Sequence, residues 1–206
     1  MSAVFFIALI LFSYLLGSIP CGYIIGKFNG IDIRTVGSKN IGATNVTRCV
    51  GKKAGKLCFA LDFLKGMLPV LLAQQCKMPE TGVLAVLLAA ILGHIFPVYL
   101  KFKGGKGVST AAGAVMALAP LPLLTALVVW VVVFTISRYV SLASITAAAV
   151  LPVVAWIFKL AGIGSVSAQS PLSLVLLTVI AVLAIMRHRS NIQRLLNGTE
   201  SRFGKK

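Results

Sequence analysis

Three segments of this chain combine glycine with positively charged side chains. They are GSKNIGATNVTR at residues 37–48, KGGKG at residues 103–107 and RHRSNIQR at residues 187–194. Glycine lets backbone amides approach an anion closely, and lysine and arginine supply the charge that attracts a phosphate. The chemistry that these residue types could perform is the binding of phosphorylated compounds and the stabilisation of negative charge during a reaction.

The first segment carries the most varied set of polar groups. Ser38 and Thr44 have hydroxyl donors, and Arg48 can bind a phosphate through two parallel hydrogen bonds. The segment nearly matches the nucleotide-binding pattern G-x-x-x-x-G-K-[ST], but Ala43 stands where that pattern needs lysine, and no strand is expected before it. We therefore exclude ATP or GTP binding through this pattern. The alternative to a phosphate site is a solvated loop.

The second segment precedes a short apolar run at residues 107–119. The N-terminus of a helix attracts phosphate through its unpaired amides and its dipole, and Lys106 adds a full positive charge at that point. The alternative is a flexible basic loop that only reflects the general excess of lysine on the cytoplasmic side of membrane proteins.

The third segment follows the last apolar stretch. His188, Asn191 and Arg194 are spaced three residues apart, so on a helix they share one face. The alternative is a basic tail that anchors the chain at the membrane surface. Ser141 begins another apolar segment, where a serine is also a common helix cap.

Ionisable residues are rare within the apolar segments. Asp62 and Lys65 are three apart and are expected to pair, although such a pair at membrane depth is also a candidate site. His94 is expected to be a hydrogen-bonded core histidine. The 4 acidic residues are too scattered for a Mg²⁺-dependent phosphotransferase, and no serine-nucleophile pattern occurs. We therefore expect no metal, no cofactor and no disulfide, and chemistry that relies on positioning and cationic stabilisation.

The elements that must position these residues are long apolar segments. Of the 206 residues, 58% are hydrophobic, the mean hydropathy is +0.98, and a membrane span needs about 20 apolar residues. The sequence predicts an all-α integral membrane protein with a single domain, residues 1–206, and seven transmembrane helices, some short or broken. The predicted segments are residues 3–25, 54–73, 81–100, 107–119, 121–136, 140–160 and 171–187. Pro120 and Pro122 should separate the fourth segment from the fifth.

The charge distribution orients these segments. Nearly all of the 20 lysines and arginines, Lys205 and Lys206 among them, fall on one face of a seven-span arrangement, whereas Lys77 and Lys159 fall on the other. The positive-inside rule makes the basic face cytoplasmic. We therefore expect a periplasmic N-terminus, a cytoplasmic C-terminus, and all three glycine-rich or basic segments on the cytoplasmic side.

The net charge of +16 also bears on partners. No aromatic stacking platform accompanies the basic residues, so no nucleic acid is expected to bind. The rival functional class is a transporter or lipid-binding protein for anionic phosphate compounds, in which broken helices point their N-termini at anions. That class predicts polar clusters on both faces and an inverted repeat, and the sequence displays neither.

Six motifs, in order from about Gly17 to Glu200, resemble those of the bacterial acyl-phosphate:glycerol-3-phosphate acyltransferase family. They are GSIPCGYIIGK, GSKNIGATNVTR with GKKAG, LDFLKG, KGGKGVST, RYVSLASI and RHRSNIQRLLNGTE. The resemblance implies a multi-pass enzyme of the bacterial inner membrane whose active site faces the cytoplasm. Such an enzyme transfers a fatty acyl group from acyl phosphate to the 1-hydroxyl of sn-glycerol 3-phosphate, without a metal, and releases lysophosphatidic acid and phosphate. This is the first membrane step of phospholipid synthesis.

The resemblance also implies partners and residue roles. The partners are glycerol 3-phosphate, acyl phosphate, membrane lipid and an acyltransferase that supplies the acyl phosphate. Ser38 and Lys106, with Gly104 and Gly105, would hold the acyl-phosphate head, while Arg48 and Thr44, with His188 and Asn191, would orient glycerol 3-phosphate. The expected catalytic residues are Ser38, Arg48, Lys106, His188 and Asn191. The expected substrate-binding residues are Gly37, Asn40, Thr44, Asn45, Gly104, Gly105, Gly107, Ser141 and Arg194. The proton acceptor is either His188 or the phosphate of the substrate.

Overall fold

The computed structural model describes residues 3–163 and 170–204 and contains no β-strand in those ranges. The described chain forms two compact units, Met1–Leu118 and Ala119–Lys206. The α-helices of the first unit are α1 (Ala3–Ser18), α2 (Cys21–Phe28), α3 (Ala43–Cys49), α4 (Lys52–Gln75), α5 (Glu80–Ile95) and α6 (Val108–Leu118). Those of the second are α7 (Pro120–Ser137), α8 (Val140–Leu160), α9 (Pro171–Arg187) and α10 (Arg189–Leu196). Lys205 and Lys206, which we assigned to the cytoplasmic face, lie outside the described residues.

In the first unit, α1 packs along α5. The Ser13 hydroxyl donates a 2.8 Å hydrogen bond to the Val86 carbonyl, and Gly17 lies so close to Ala90 that a side chain there would overlap its backbone. Small residues of this kind allow apolar helices to approach closely in membranes. The helix ends at Ser18 because Pro20 has no amide hydrogen to continue it, and α2 begins directly afterwards.

The other close helix pair of this unit is α4 with α6. A side chain at Gly66 would overlap the Thr110 carbonyl, and one at Gly113 would overlap the Phe63 carbonyl, so the two backbones are in direct contact. α2 and α3 also pack against α4. This packing fixes the start of α6, and therefore the loop at residues 103–107, relative to the longest helix of the unit.

In the second unit, α8 packs against α7 and α9, and α10 contacts both α8 and α9. α6 ends at Leu118 and α7 begins at Pro120, so the predicted break between the fourth and fifth segments is confirmed. Proline is tolerated at the first turn of a helix, where its missing amide would have no partner. Val128, Val132 and Ile136 of α7 are exposed, as expected of a helix that faces lipid.

Within the described residues, five helical segments are long and apolar enough to cross a membrane, and the first of them combines α1 and α2. The bent pair α9 and α10 makes a sixth if it counts as one span. The prediction of an all-α, multi-pass membrane protein is thus confirmed. The predicted segment at residues 107–119 forms a helix of only 11 residues, which is short as expected and does not reach across a bilayer alone. The seven-span count therefore stays a prediction.

Candidate active site

Asn45 is the centre of the loop that precedes α3. Its side chain is 1% exposed, and its Nδ2 atom donates to the carbonyls of Ile33, Val36 and Asn40 at 2.9, 3.2 and 2.9 Å. Its Oδ1 atom accepts a 2.8 Å hydrogen bond from the Ser38 amide. A buried amide with all of these partners has no surface left for a substrate in this conformation. We therefore revise the predicted role of Asn45 from substrate contact to positioning of the loop.

The same loop and the helix α3 that follows it carry the predicted ligands of the first segment. Gly37 has φ +58°, a left-handed conformation that glycine adopts without strain, and a side chain there would overlap Asn45. Ser38 and Arg48 are exposed, and Thr44 is half-buried. The Asn40 Oδ1 atom accepts a 2.8 Å hydrogen bond from the Gly42 amide, so this predicted substrate-binding side chain also shapes the loop. The loop is thus held from inside, with the Ser38 hydroxyl at its surface and the Arg48 guanidinium at the surface of α3.

The glycine loop, residues 103–107, is paired with the end of α5. The Gly104 amide donates to the Ile95 carbonyl at 3.2 Å and the Gly105 amide to the His94 carbonyl at 3.1 Å. We expected the glycine amides of this loop to point at an anion. The amides of Gly104 and Gly105 instead donate their hydrogen bonds to carbonyls of α5. Gly107 has φ +82° and turns the chain into α6, and Lys106 beside it is half-buried. Positive charge at this site therefore comes from Lys106 and the first amides of α6.

A buried polar cluster lies beneath the glycine loop. Lys65 Nζ is 2.8 Å from Asp62 Oδ1, which confirms the predicted pair, and also donates to the Ile19 carbonyl at 2.7 Å. His94 Nδ1 is 3.1 Å from Thr110 Oγ1, so the predicted hydrogen-bonded core histidine is confirmed as well.

His188 lies where α9 bends into α10, and these two helix axes differ by 55°. It is 3% exposed, and its Nδ1 atom is 2.8 Å from the Ala184 carbonyl. A carbonyl oxygen only accepts hydrogen bonds, so Nδ1 carries the proton. In the neutral ring the lone pair is therefore on Nε2, which makes that atom the acceptor for any proton.

Three predicted substrate-binding or catalytic side chains of the second unit converge on Glu200. The Ser141 hydroxyl and the Asn191 amide each donate to Glu200 Oε1 at 2.7 Å, and Arg194 Nε donates to Oε2 at 2.7 Å. Burial alone would raise the pKa of the Glu200 carboxyl, but the hydrogen bonds from these three residues outweigh it and lower the pKa below its usual range. Ser141 is inside α8, whose cap position is Tyr139, so its role as a simple helix cap is wrong.

Glu200 is the member of this cluster that sequence reasoning missed. One signal was available: it is one of only 4 acidic residues in the chain, and it lies among basic residues, with Arg194 before it and Arg202 after it. Beyond it, the Phe203 amide donates to the Arg138 carbonyl at 2.8 Å, and Arg202 Nε donates to the Tyr139 hydroxyl at 3.0 Å. The C-terminal segment is thus tied to the corner between α7 and α8.

The predicted residues divide between the two units. Those of the first are Gly37, Ser38, Asn40, Thr44, Asn45, Arg48, Gly104, Gly105, Lys106 and Gly107, and those of the second are Ser141, His188, Asn191 and Arg194. Within the described ranges, no group of three or more His, Cys, Asp or Glu residues is placed to hold a metal ion, and Cys21, Cys49, Cys58 and Cys76 are free thiols.

This architecture defines an all-helical, multi-pass membrane protein with cationic, glycine-bearing loops. A family model described as glycerol-3-phosphate acyltransferase matches residues 7–198. The glycerol-3-phosphate acyltransferase of Geotalea daltonii is 47% identical, over 96% of this chain and 97% of the relative. The enzyme of that name from Aquifex aeolicus is 49% identical, over 95% of this chain and 97% of the relative.

Solved structures agree with these relatives. PlsY (YgiH), described as an integral membrane glycerol 3-phosphate acyltransferase in its glycerol 3-phosphate form, superposes with a TM-score of 0.86 at 47% identity, covering 97% of this chain and 96% of that chain. The lysophosphatidic acid form of PlsY gives a TM-score of 0.84 at 46% identity, covering 97% and 95%. This chain therefore belongs to the glycerol-3-phosphate acyltransferase family, as the resemblance of its motifs indicated.

Proposed function

We propose that this protein transfers a fatty acyl group from acyl phosphate to the 1-hydroxyl of sn-glycerol 3-phosphate. The observation that carries the proposal is the match, over 97% of the chain at 47% identity, to a membrane acyltransferase described in a glycerol 3-phosphate form. The hydroxyl oxygen attacks the acyl carbon, the bond from that carbon to the phosphate oxygen breaks, and inorganic phosphate leaves. The products are lysophosphatidic acid and phosphate.

The nature of the donor fits the chemistry of the side chains. Acyl phosphate is a mixed anhydride, so its phosphate departs readily and the acceptor hydroxyl attacks directly, without a covalent acyl-enzyme. The negative charge that develops on the departing phosphate and on the acyl oxygen requires donors and cations. Lys106, the start of α6 and the exposed Ser38 hydroxyl supply them, and one preorganised donor of this kind contributes about 10²–10³ in rate. No metal ion is needed for this route.

The remaining predicted residues act on the acceptor. Arg48 binds the phosphate of glycerol 3-phosphate, with the Thr44 hydroxyl beside it. By the resemblance, His188 and Asn191 orient this substrate, and Ser141 and Arg194 are further substrate-binding residues. Glu200 accepts hydrogen bonds from Ser141, Asn191 and Arg194 and so fixes their side chains. The hydroxyl proton passes to a phosphate oxygen of the substrate, and His188 Nε2 is the competing acceptor.

The cellular setting rests on the family resemblance, and the orientation rests on the charge bias. We place the protein in the bacterial inner membrane with seven membrane segments, a periplasmic N-terminus and an active site that faces the cytoplasm. The whole chain, residues 1–206, acts as one acyltransferase domain. An acyltransferase that makes acyl phosphate supplies its donor, and the membrane accepts its lipid product.

A donor comparison tests this function. Purified protein in detergent is incubated with labelled glycerol 3-phosphate and acyl phosphate, acyl-CoA or acyl carrier protein carrying the same chain, each with and without EDTA. We expect lysophosphatidic acid from acyl phosphate alone and no effect of EDTA. Product from acyl-CoA but not from acyl phosphate would overturn the assignment of acyl phosphate as the donor. If the protein reconstituted into lipid vesicles takes up glycerol 3-phosphate and forms no product, it is a transporter.

A further inference from the structure

The buried cluster beneath the glycine loop contains one more ionisable residue than a neutral ion pair needs. Asp62, Lys65 and His94 are 1%, 5% and 4% exposed, and Thr110 is 0% exposed. Ionisable groups at membrane depth are costly to bury, and a neutral ion pair often stabilises a protein no more than apolar residues of the same volume do. Lys65 alone neutralises Asp62, so the histidine beside them needs a separate explanation.

The Thr110 hydroxyl lies within hydrogen-bond distance of one nitrogen of the histidine ring, and the Asp62 carboxylate lies close to the same nitrogen. Asp62 Oδ1 is 3.6 Å and Thr110 Oγ1 is 3.1 Å from His94 Nδ1. The other ring nitrogen, Nε2, lies against Gly105, where an added methyl group would overlap it. The ring therefore lies between polar side chains, at its Nδ1 atom, and the glycine loop, at its Nε2 atom.

The backbone reinforces this contact. The His94 carbonyl accepts the Gly105 amide at 3.1 Å, so the same residue touches the loop through both its ring and its main chain. Cys58 Sγ, on the other side of the cluster, donates to Asp62 Oδ2 at 3.6 Å and lies beneath Gly22, which in turn contacts the Ile41 carbonyl. The carboxylate is thus linked to both glycine-rich loops of the first unit.

We propose that Asp62 and His94 are positioning residues for the acyl-phosphate site. Asp62 orients the His94 ring, the ring sets the path of Gly104 and Gly105, and that path places Lys106 against the departing phosphate. This role rests on the proposed function. The competing explanation is that Asp62 serves only as the counter-ion that lets Lys65 be buried.

A charge-neutral double variant separates the two explanations. Asp62→Asn alone leaves the Lys65 ammonium buried without a counter-ion, so its loss of stability is uninformative by itself. Asp62→Asn combined with Lys65→Met removes both charges and should restore thermal stability. If Asp62 is only a counter-ion, this double variant regains activity as well. If Asp62 positions the loop through His94, stability returns but activity does not.

The measurement is steady-state kinetics with both substrates varied, on protein whose folding is verified by thermal melting. For the double variant and for His94→Asn we expect kcat/KM for acyl phosphate to fall about 10²-fold, the loss typical of a misplacement near 1 Å. Part of that fall is a rise in KM for acyl phosphate, while KM for glycerol 3-phosphate changes less than about threefold. A smaller population of active enzyme would lower kcat without moving either KM. Glu80→Gln, which removes an exposed carboxylate of the same unit, is the matched control and should leave all constants unchanged.

Wild-type kcat/KM in the double variant, or an unchanged KM for acyl phosphate in every folded variant, would overturn the positioning role. A wild-type chain that makes no lysophosphatidic acid contradicts the proposed function instead. The positioning role is then judged by binding: acyl phosphate should raise the melting temperature of the wild type and not that of the double variant. Equal stabilisation of both proteins would refute it.

Discussion

Replacing Gly105 with alanine tests the geometry of the glycine loop in a single step. The added methyl carbon would lie 3.0 Å from Cδ2 and 3.2 Å from Cε1 of the His94 ring, and it would overlap Nε2. His94 is held by Thr110 on one side and is buried, so its ring has little room to move. The loop must therefore shift away from α5, and Lys106 shifts with it.

The size of the effect follows from these distances. Carbon atoms in contact lie about 3.5–4.0 Å apart, so the loop or the ring must move on the order of 1 Å. A misplacement of about 1 Å in a reacting site costs about 10² in rate. We therefore expect kcat/KM of Gly105→Ala to fall about 10²-fold, which corresponds to about 2.7 kcal/mol of transition-state stabilisation.

The assay is lysophosphatidic acid formation by purified Gly105→Ala, with thermal melting to verify folding. The matched control is Gly82→Ala in α5, where the nearest atom to an added methyl is Met78 Cε at 2.8 Å, the end of a flexible side chain. Alanine is also about 1 kcal/mol better than glycine within a helix, so this control should keep full activity and stability. Gly105→Ala with the activity of Gly82→Ala would refute the tight contact between the loop and His94.

The remaining predictions concern the other polar groups. Lys106→Ala and Arg48→Ala should each lower kcat by about 10²–10³ while the protein stays folded, as circular dichroism and size exclusion would verify, and full activity in a folded variant would contradict the role of that residue. Glu200 has a lowered pKa in the folded state, so its stabilising contribution is complete above about pH 5 and is lost as the pH falls through that lowered value. Melting temperatures of wild type and Glu200→Gln should therefore differ at pH 7 and converge towards pH 3, and a difference that is the same at both pH values would contradict this linkage. Asn45→Ala leaves several buried groups unsatisfied and should cost about 3 kcal/mol, whereas Asn29→Ala, which removes one hydrogen bond, should cost about 1 kcal/mol, so equal denaturation midpoints would refute the central role of Asn45.

The apolar segments were predictable because bilayer thickness and helix geometry act along the chain. Residues 140–160 and 171–187 match α8 and α9, and the prolines after Ala119 mark the end of α6. The Asp62–Lys65 pair was predictable for the same reason, since residues three apart share a helix face. The number of membrane spans was not predictable, because α6 is too short to cross a bilayer and the α9–α10 pair is bent. Hydropathy alone therefore does not decide which segments cross the membrane.

The internal partners of the site residues depend on contacts distant in the chain and could not be read from spacing. Ser141 and Glu200 are 59 residues apart and share a hydrogen bond of 2.7 Å. The pairing of the Gly104 and Gly105 amides with α5 requires the loop to fold back on that helix, which the motif KGGKG does not indicate. The sequence predicted a set of site residues, and the structure distinguishes those at the surface from those, such as Asn45, that hold the loop in shape.

The measurement that tests the central claim most directly follows one oxygen atom through the reaction. Glycerol 3-phosphate labelled with ¹⁸O at its 1-hydroxyl is incubated with acyl phosphate and purified protein, and both products are analysed by mass spectrometry. Direct attack on the acyl carbon predicts that the label appears in the ester of lysophosphatidic acid and that the released phosphate carries none. Attack on the phosphorus atom would instead place the label in glycerol bisphosphate and release free fatty acid. That result, or phosphate released without any labelled lipid, would contradict acyl transfer by this protein.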